Sequence, residues 1–258
     1  MVRTGRKYRG ASRYDGGPPH TKTLDASSVS ENVNVLMDLD GTLTDPRVGM
    51  VASIKHALSK LGYSCPADHE LQRYIGPPLQ DSFAVLLNTT DSERINSAIR
   101  LYRERYSDIG LFENTVYPGI PEALLAIREF GASLYVATSK PTAFAERIIE
   151  RFELARFFDA IHGSELDGTR SKKGDVIAHA LRIEGLSPKS TLMVGDRLHD
   201  IVGAKKNGVF SVGVLWGYGS REELEQAGAG AICMEPISLP NVLSSDFSTQ
   251  WTAAGGGD

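Results

Sequence analysis

The sequence predicts an α/β protein: a Rossmann-like, doubly wound parallel sheet, interrupted just after its first strand by an all-helical insertion. Three observations predict this. An apolar, strand-like run, Val33-Asn34-Val35-Leu36-Met37, ends in the acidic turn Asp38-Leu39-Asp40-Gly41. From about residue 47 to 116 the apolar positions recur at helical spacing, with no convincing strand. After Tyr117-Pro118-Gly119, short apolar strands alternate with amphipathic helices, the pattern of a parallel sheet wound with helices on both faces.

The elements follow in order. Beyond Asp45-Pro46, the residues Met50, Ile54, Ala57, Leu58 and Leu61 mark a helix that Gly62 ends. Helical segments are expected around 68–75, 79–87 and 91–107, with Ile75-Gly76-Pro77-Pro78-Leu79 breaking two of them. The second half reads as helix 120–130, strand 133–138, helix 141–151, a short strand near 159–162, helix 173–183, strand 191–195, helix 199–206 and strand 210–215. The expected organisation is a core of residues 32–46 and 117–242, an inserted helical domain of residues 47–116, and tails at 1–31 and 243–258.

Composition narrows the function. With 258 residues and 41% hydrophobic content, the chain can pack one large or two small domains. A net charge of -4 gives no reason to expect nucleic acid or an anionic membrane as partner, and no apolar run is long enough for a membrane span. Cys65 and Cys233 are far apart and form neither a CxxC pair nor a disulfide framework. Without a secretory signal, a reducing cytoplasm is the expected setting. Residues 1–31 carry Arg3, Arg6, Lys7, Arg9 and Arg13 among Gly, Ser and Pro. An Arg-rich transit peptide and a start upstream of the true one are rival readings, but a disordered tail is expected, because Gly16-Gly17-Pro18-Pro19 would break an amphipathic helix.

The acidic strand ends carry the chemistry. An unpaired buried carboxylate is costly, so a buried strand has no ordinary use for Asp38 and Asp40. Their spacing of two puts both on one side of the backbone where the strand runs out, the edge at which open α/β sheets bind ligands. A calcium loop is a weak alternative, because Val48 and Gly49 stand where its bidentate Glu is needed. Strand 133–138 ends in Thr138-Ser139-Lys140-Pro141. A hydroxyl there, beside a helix start, suits a phosphate oxygen, although taken in isolation a helix N-cap is the readier reading. Lys172 and Lys173 open a helix, the wrong end for a cation in the helix dipole. The strand Leu192-Met193-Val194-Gly195 runs into Asp196, with Asp200 one turn into the next helix; the bland alternative is an N-cap and a solvated acid. Gly217-Tyr218-Gly219 is a lone GxG, read as a turn near the rim of the site and not as a dinucleotide loop.

Taken in order, these motifs resemble those of the haloacid dehalogenase (HAD) superfamily over roughly residues 33–242, with the insertion similar to its type-one cap. The resemblance implies that Asp38 is a nucleophile that becomes an aspartyl-phosphate, and that Asp40 is the general acid and then the general base. It implies that Thr138 and Lys173, preferred over Lys172, hold the phosphoryl group. Asp38, Asp196 and the carbonyl of Asp40 would hold Mg²⁺, with Asp200 orienting that shell or ligating through water. His199 is then not needed as a base and is read as a surface or lid-facing residue. Ser139, Lys140, Arg47 at the cap hinge, and Gly76 in the cap loop are the candidate substrate contacts. Asp45-Pro46, Gly76-Pro77-Pro78-Leu79, Gly168-Thr169-Arg170-Ser171 and Leu215-Trp216-Gly217-Tyr218-Gly219 resemble the phosphoglycolate phosphatase and 5′-nucleotidase-like branch.

The expectation is a Mg²⁺-dependent phosphomonoesterase for a small phosphorylated metabolite, on a monomer or homodimer. A phosphomutase shares every motif. A dehalogenase would lack the second acid. A non-catalytic binding protein on this fold would have lost a motif carboxylate or the lysine, and none is missing.

Overall fold

Four residues of sequence NVLM form β1 (Asn34–Met37), buried at every position, because both faces of the sheet at this strand are covered. In the computed structural model, which describes residues 33–245, β1 is the centre of a six-stranded sheet. Its order is β5-β4-β1-β6-β7-β8, with β4 (Ser133–Pro141), β5 (Ala160–Ser164), β6 (Thr191–Gly195), β7 (Phe210–Val214) and β8 (Ala231–Cys233). Every pair is parallel. Met37 is in register with Val136 on one side and Val194 on the other. The residues just beyond, Asp38, Thr138 and Asp196, therefore converge at one edge.

The helices α5 (Ile120–Glu129), α6 (Thr142–Arg151), α7 (Lys173–Glu184) and α8 (Leu198–Lys206) fall where the sequence predicts them, within one or two residues. They bury two apolar layers. One, including Val35, Met37, Val136 and Val194, continues into the insertion; the other, including Leu36, Met193, Val176 and Ile177, lies beneath α7.

The insertion holds α1 (Arg47–Lys60), α2 (Asp68–Leu71) with a following 3-10 turn, α3 (Leu79–Leu86) and α4 (Ser92–Arg105). Gly62 lies past the end of α1 at φ +77°, the left-handed conformation that its position in the sequence predicts. After α4 the chain makes one π turn, Tyr106–Gly110, which turns the Tyr106 ring inward.

Four expectations need correction. The block 47–116 is not wholly helical: β2 (Thr44–Asp45) and β3 (Thr115–Val116) pair antiparallel where the two crossings run side by side. Two residues carry no readable periodicity. Strand 133–138 continues to Pro141 through a register shift, so α6 starts later and Thr138 does not cap it. The alternation continues past residue 215 with α9 (Arg221–Ala227) and β8, both too short to be read from pattern alone. The C-terminal tail does not begin at 243: α10 (Leu239–Ser245) docks on α5, with Leu239 and Leu243 one turn apart and buried. The expected tail at residues 1–31 and the rest of the C-terminal one lie outside the described residues.

Candidate active site

The site is built where β1, β4 and β6 end together. The Asp38 amide still donates to Val194 O (2.9 Å), so the nucleophile candidate sits on the last rung of the ladder. Its Oδ1 accepts from the Leu39 amide at 2.7 Å and pairs with Lys173 Nζ at 2.6 Å, which leaves Oδ2 uncommitted by either contact. Lys173 is the first residue of α7 and is buried, whereas Lys172 is exposed. Lys173 Nζ also lies 2.8 Å from Asp200 Oδ1 and donates to Ala137 O at 3.1 Å. Burial alone would depress the ammonium's pKa; the Asp200 and Asp38 carboxylates outweigh it and raise the pKa. A lysine opposed to its helix dipole is thus held by two acids across the site.

Asp40 points elsewhere. Its Oδ2 pairs with Lys140 Nζ at 2.7 Å, and its Oδ1 is buried without a hydrogen-bond partner among the described residues. Burial raises its pKa, Lys140 partly offsets the rise, and the Asp38 charge adds to it. Lys140 also donates to Tyr106 Oη at 2.6 Å, so one ammonium joins the Asp40 carboxylate to the π turn of the insertion. Lys140, expected to touch substrate, is thus already engaged, although it lines the same cleft.

Asp38, Asp196 and Asp200 each offer a carboxylate oxygen, and these oxygens lie within 4.8 Å of one another. The Asp40 side chain pairs with Lys140 and is not in this cluster, so the group it would offer a cation is the one expected from sequence, its backbone carbonyl. Asp196 is fully buried, and its pKa is pushed well up, by burial first and then by the charges of Asp200 and Asp38. Among the described residues one ammonium, Lys173, pairs with two of these three buried carboxylates, and hard oxygen donors of this kind fit a divalent cation such as Mg²⁺. Asp196 is no N-cap; that place is taken by Arg197, whose amide donates to Asp200 Oδ2 at 3.1 Å.

The Gly217-Tyr218-Gly219 loop, read from sequence as a rim turn, holds Asp196. The Tyr218 amide donates to Asp196 Oδ2 at 2.8 Å, and Trp216 Nε1 donates to Thr42 O at 2.9 Å. A Cβ on Gly217 would lie 2.3 Å from Gly41 O and 2.4 Å from Asp196 Cβ; one on Gly219 would lie 1.9 Å from Asp196 O. No side chain fits. The sequence signal was there in the paired glycines, but only the packing shows what they approach. Gly217→Ala should therefore displace Asp196. The divalent-cation concentration for half-maximal activity should rise at least about tenfold, with about 1–3 kcal/mol lost from stability; cation titration and urea unfolding check both.

Thr138 is buried, and its Oγ1 accepts from the Lys140 amide at 3.3 Å. Thr138 and Ser139 line a cleft with Asp38, Asp40, Gly76, Pro77 and Pro78. The cap loop thus borders the acidic edge. Gly76, at φ +101°, would aim a Cβ at Arg197, 3.3 Å from its Cγ, so the loop meets the cleft through its backbone and prolines. Arg197 Nη1 in turn donates to Ile75 O at 2.8 Å, tying this loop to the core. Arg47 is a correction. It is half exposed, its amide donates to Asp45 Oδ1, and its guanidinium lies 3.6 Å from Asp45. It does not line the cleft that holds Asp38. His199 is half-buried and lines a second cleft, between α3 and α8, that Asp81 also lines.

A family model described as haloacid dehalogenase-like hydrolase matches residues 35–214. A 5′-nucleotidase of Pseudomonas aeruginosa is 47% identical over 212 residues, 82% of this chain and 96% of that protein. Tyrosine-protein kinase PtkA of Mycobacterium tuberculosis is 39% identical over 202 residues, 78% of this chain and 68% of that one. The crystal structure of a predicted phosphatase from Clostridium acetobutylicum superposes with a TM-score of 0.80 at 43% identity, covering 83% of this chain and 99% of that one.

Proposed function

The chain belongs to the haloacid dehalogenase-like hydrolase family and is a phosphoric monoester hydrolase; from that premise, we propose that it hydrolyses a small-molecule phosphomonoester through an aspartyl-phosphate on Asp38, with Mg²⁺, in the manner of a 5′-nucleotidase or a phosphoglycolate phosphatase. The observation that carries the proposal is the unequal treatment of two carboxylates two residues apart. Asp38 has Oδ1 fixed by Leu39 and Lys173. Asp40 has one oxygen on Lys140 and the other buried and unpaired, with its pKa raised. Neighbouring acids held by such different partners fit one nucleophile and one proton donor.

Asp38 Oδ2 would attack phosphorus as the ester oxygen leaves with the proton of Asp40. Water would then attack the phosphorus of the aspartyl-phosphate, giving its proton back to Asp40 and freeing Asp38 and inorganic phosphate. Lys173 and the Thr138 hydroxyl would hold the non-bridging oxygens as their charge develops. Asp38, Asp196 and the Asp40 carbonyl would hold Mg²⁺, with Asp200 behind them. When bound, the ion screens the repulsion between carboxylate and phosphoryl group. The helical block 47–116 is proposed as a cap that excludes bulk water while it is closed.

Phosphate release from a panel of esters, with Mg²⁺ and with excess chelator, tests this. At least one small ester should turn over with Mg²⁺, and the rate should fall by about a hundredfold or more in chelator. Full activity in chelator would remove the metal role, and inactivity on every ester would remove the hydrolase reading.

A further inference from the structure

Helix α4 carries four arginines, and among the described residues three are paired: Arg94 with Asp91, Arg100 with Glu104, and Arg105 bidentately with Glu113 at 2.7 and 2.9 Å. The fourth, Arg103, is not. It is half-buried, its Nε is buried without a hydrogen-bond partner, and its guanidinium meets no acid among the described residues. Burial lowers its pKa, with a smaller opposing electrostatic effect from Tyr102. Arg103 lines the cleft that holds Asp38, Asp40 and Thr138. A partly desolvated guanidinium with no acid beside it is unfavourable, and it is tolerable where a ligand brings the counter-charge.

The phosphoryl end of the cleft does not need this charge. Asp38 already has Lys173, and the other nearby ammonium, Lys140, is neutralised by Asp40. The rest of the lining includes the apolar residues Met50, Pro77, Pro78, Leu79 and Phe144. We infer that Arg103 is a specificity-determining residue that receives a second anionic group, carboxylate or phosphate, on the leaving group, so that the substrate is a phosphomonoester bearing that second anion on a short carbon skeleton. The planar fork of a guanidinium matches either oxyanion bidentately. The inference rests on the proposed hydrolysis and adds the substrate class to it. A nucleoside monophosphate, whose leaving group is neutral, would leave Arg103 unpaired.

Matched esters test it. 2-Phosphoglycolate and ethylene glycol bisphosphate carry the second anion, and ethyl phosphate does not. Wild type should prefer an anionic member by about thirtyfold or more in kcat/KM, mainly through KM, and Arg103→Met should collapse that ratio to within about threefold. Arg103→Lys should recover part of it. Whichever anionic ester shows the larger ratio names the second group. Equal rates for all three esters in wild type, or an Arg103→Met that lowers all of them alike, would overturn the inference. Calorimetric binding of 2-phosphoglycolate and of ethylene glycol bisphosphate to Asp38→Asn, with and without Arg103→Met, reads the contact without turnover. At least about tenfold weaker binding of one of them on loss of Arg103 supports the inference, and unchanged affinity for both overturns it. If wild type hydrolyses no ester while this binding difference persists, the hydrolase reading fails and the anion site stands.

Discussion

Asp38→Asn should fold, bind phosphate esters and lose at least about 10⁴-fold in kcat, the scale on which removal of a nucleophile is felt when no neighbouring group can replace it. The geometry makes the substitution clean. The side chain remains isosteric, its Oδ1 can still accept from the Leu39 amide, and Lys173 keeps its second partner, Asp200, at 2.8 Å. Asp40 pairs with Lys140 and lies outside the carboxylate cluster that holds Asp38, so it is not placed to replace it. Circular dichroism and steady-state kinetics on the same preparation check this. A folded Asp38→Asn enzyme with more than about 1% of wild-type turnover would reject Asp38 as nucleophile, and would favour direct attack by water.

Lys173→Met has the second large effect, and it acts on stability as well as on rate. Among the described residues the lysine is the one ammonium paired with Asp38 and Asp200, and Asp196, the third member of the carboxylate cluster, is fully buried. Methionine keeps much of the volume and removes the charge, leaving uncompensated buried carboxylates at a cost of about 3–5 kcal/mol. Turnover should fall by about 10³-fold or more as the phosphoryl oxygens lose their cation. Mg²⁺ should restore more stability to Lys173→Met than it adds to wild type, because the ion becomes the only positive charge in the cluster. Urea unfolding with chelator and with Mg²⁺ reads the difference. An equal response in both proteins would show that the cluster does not bind the ion. Lys172→Met, by contrast, removes an exposed charge and should change stability by less than about 0.5 kcal/mol.

Much of the catalytic edge was legible in the sequence because apolar strands that end in carboxylates are hard to explain otherwise. Asp38, Asp40 and Asp196 each follow such a strand, and the parallel register brings them together without further information. Thr138 could be read as an N-cap or a phosphate contact, and the continuation of β4 to Pro141 removes the cap reading. Short pieces were not legible. The β2–β3 pair, β8 and α9 hold too few residues for a period of 2 or 3.6 to stand out.

Side-chain direction was the other gap. Arg47 and Arg103 look alike in sequence, both basic and both in the inserted block. Packing sends one to Asp45 at the hinge and leaves the other unpaired in the cleft. Lys140 reads as a phosphate ligand beside Thr138 and is found holding Asp40 and Tyr106. By itself the sequence determined the parallel sheet, the inserted helices and the three strand-end acids, because local hydrophobic period and chain order suffice for these. Only the tertiary structure decided which lysine crosses the site, which glycines close on Asp196 and which arginine faces the cleft unpaired. Those outcomes depend on contacts between residues far apart in the chain, whose charges and volumes meet only after the sheet and the insertion have packed.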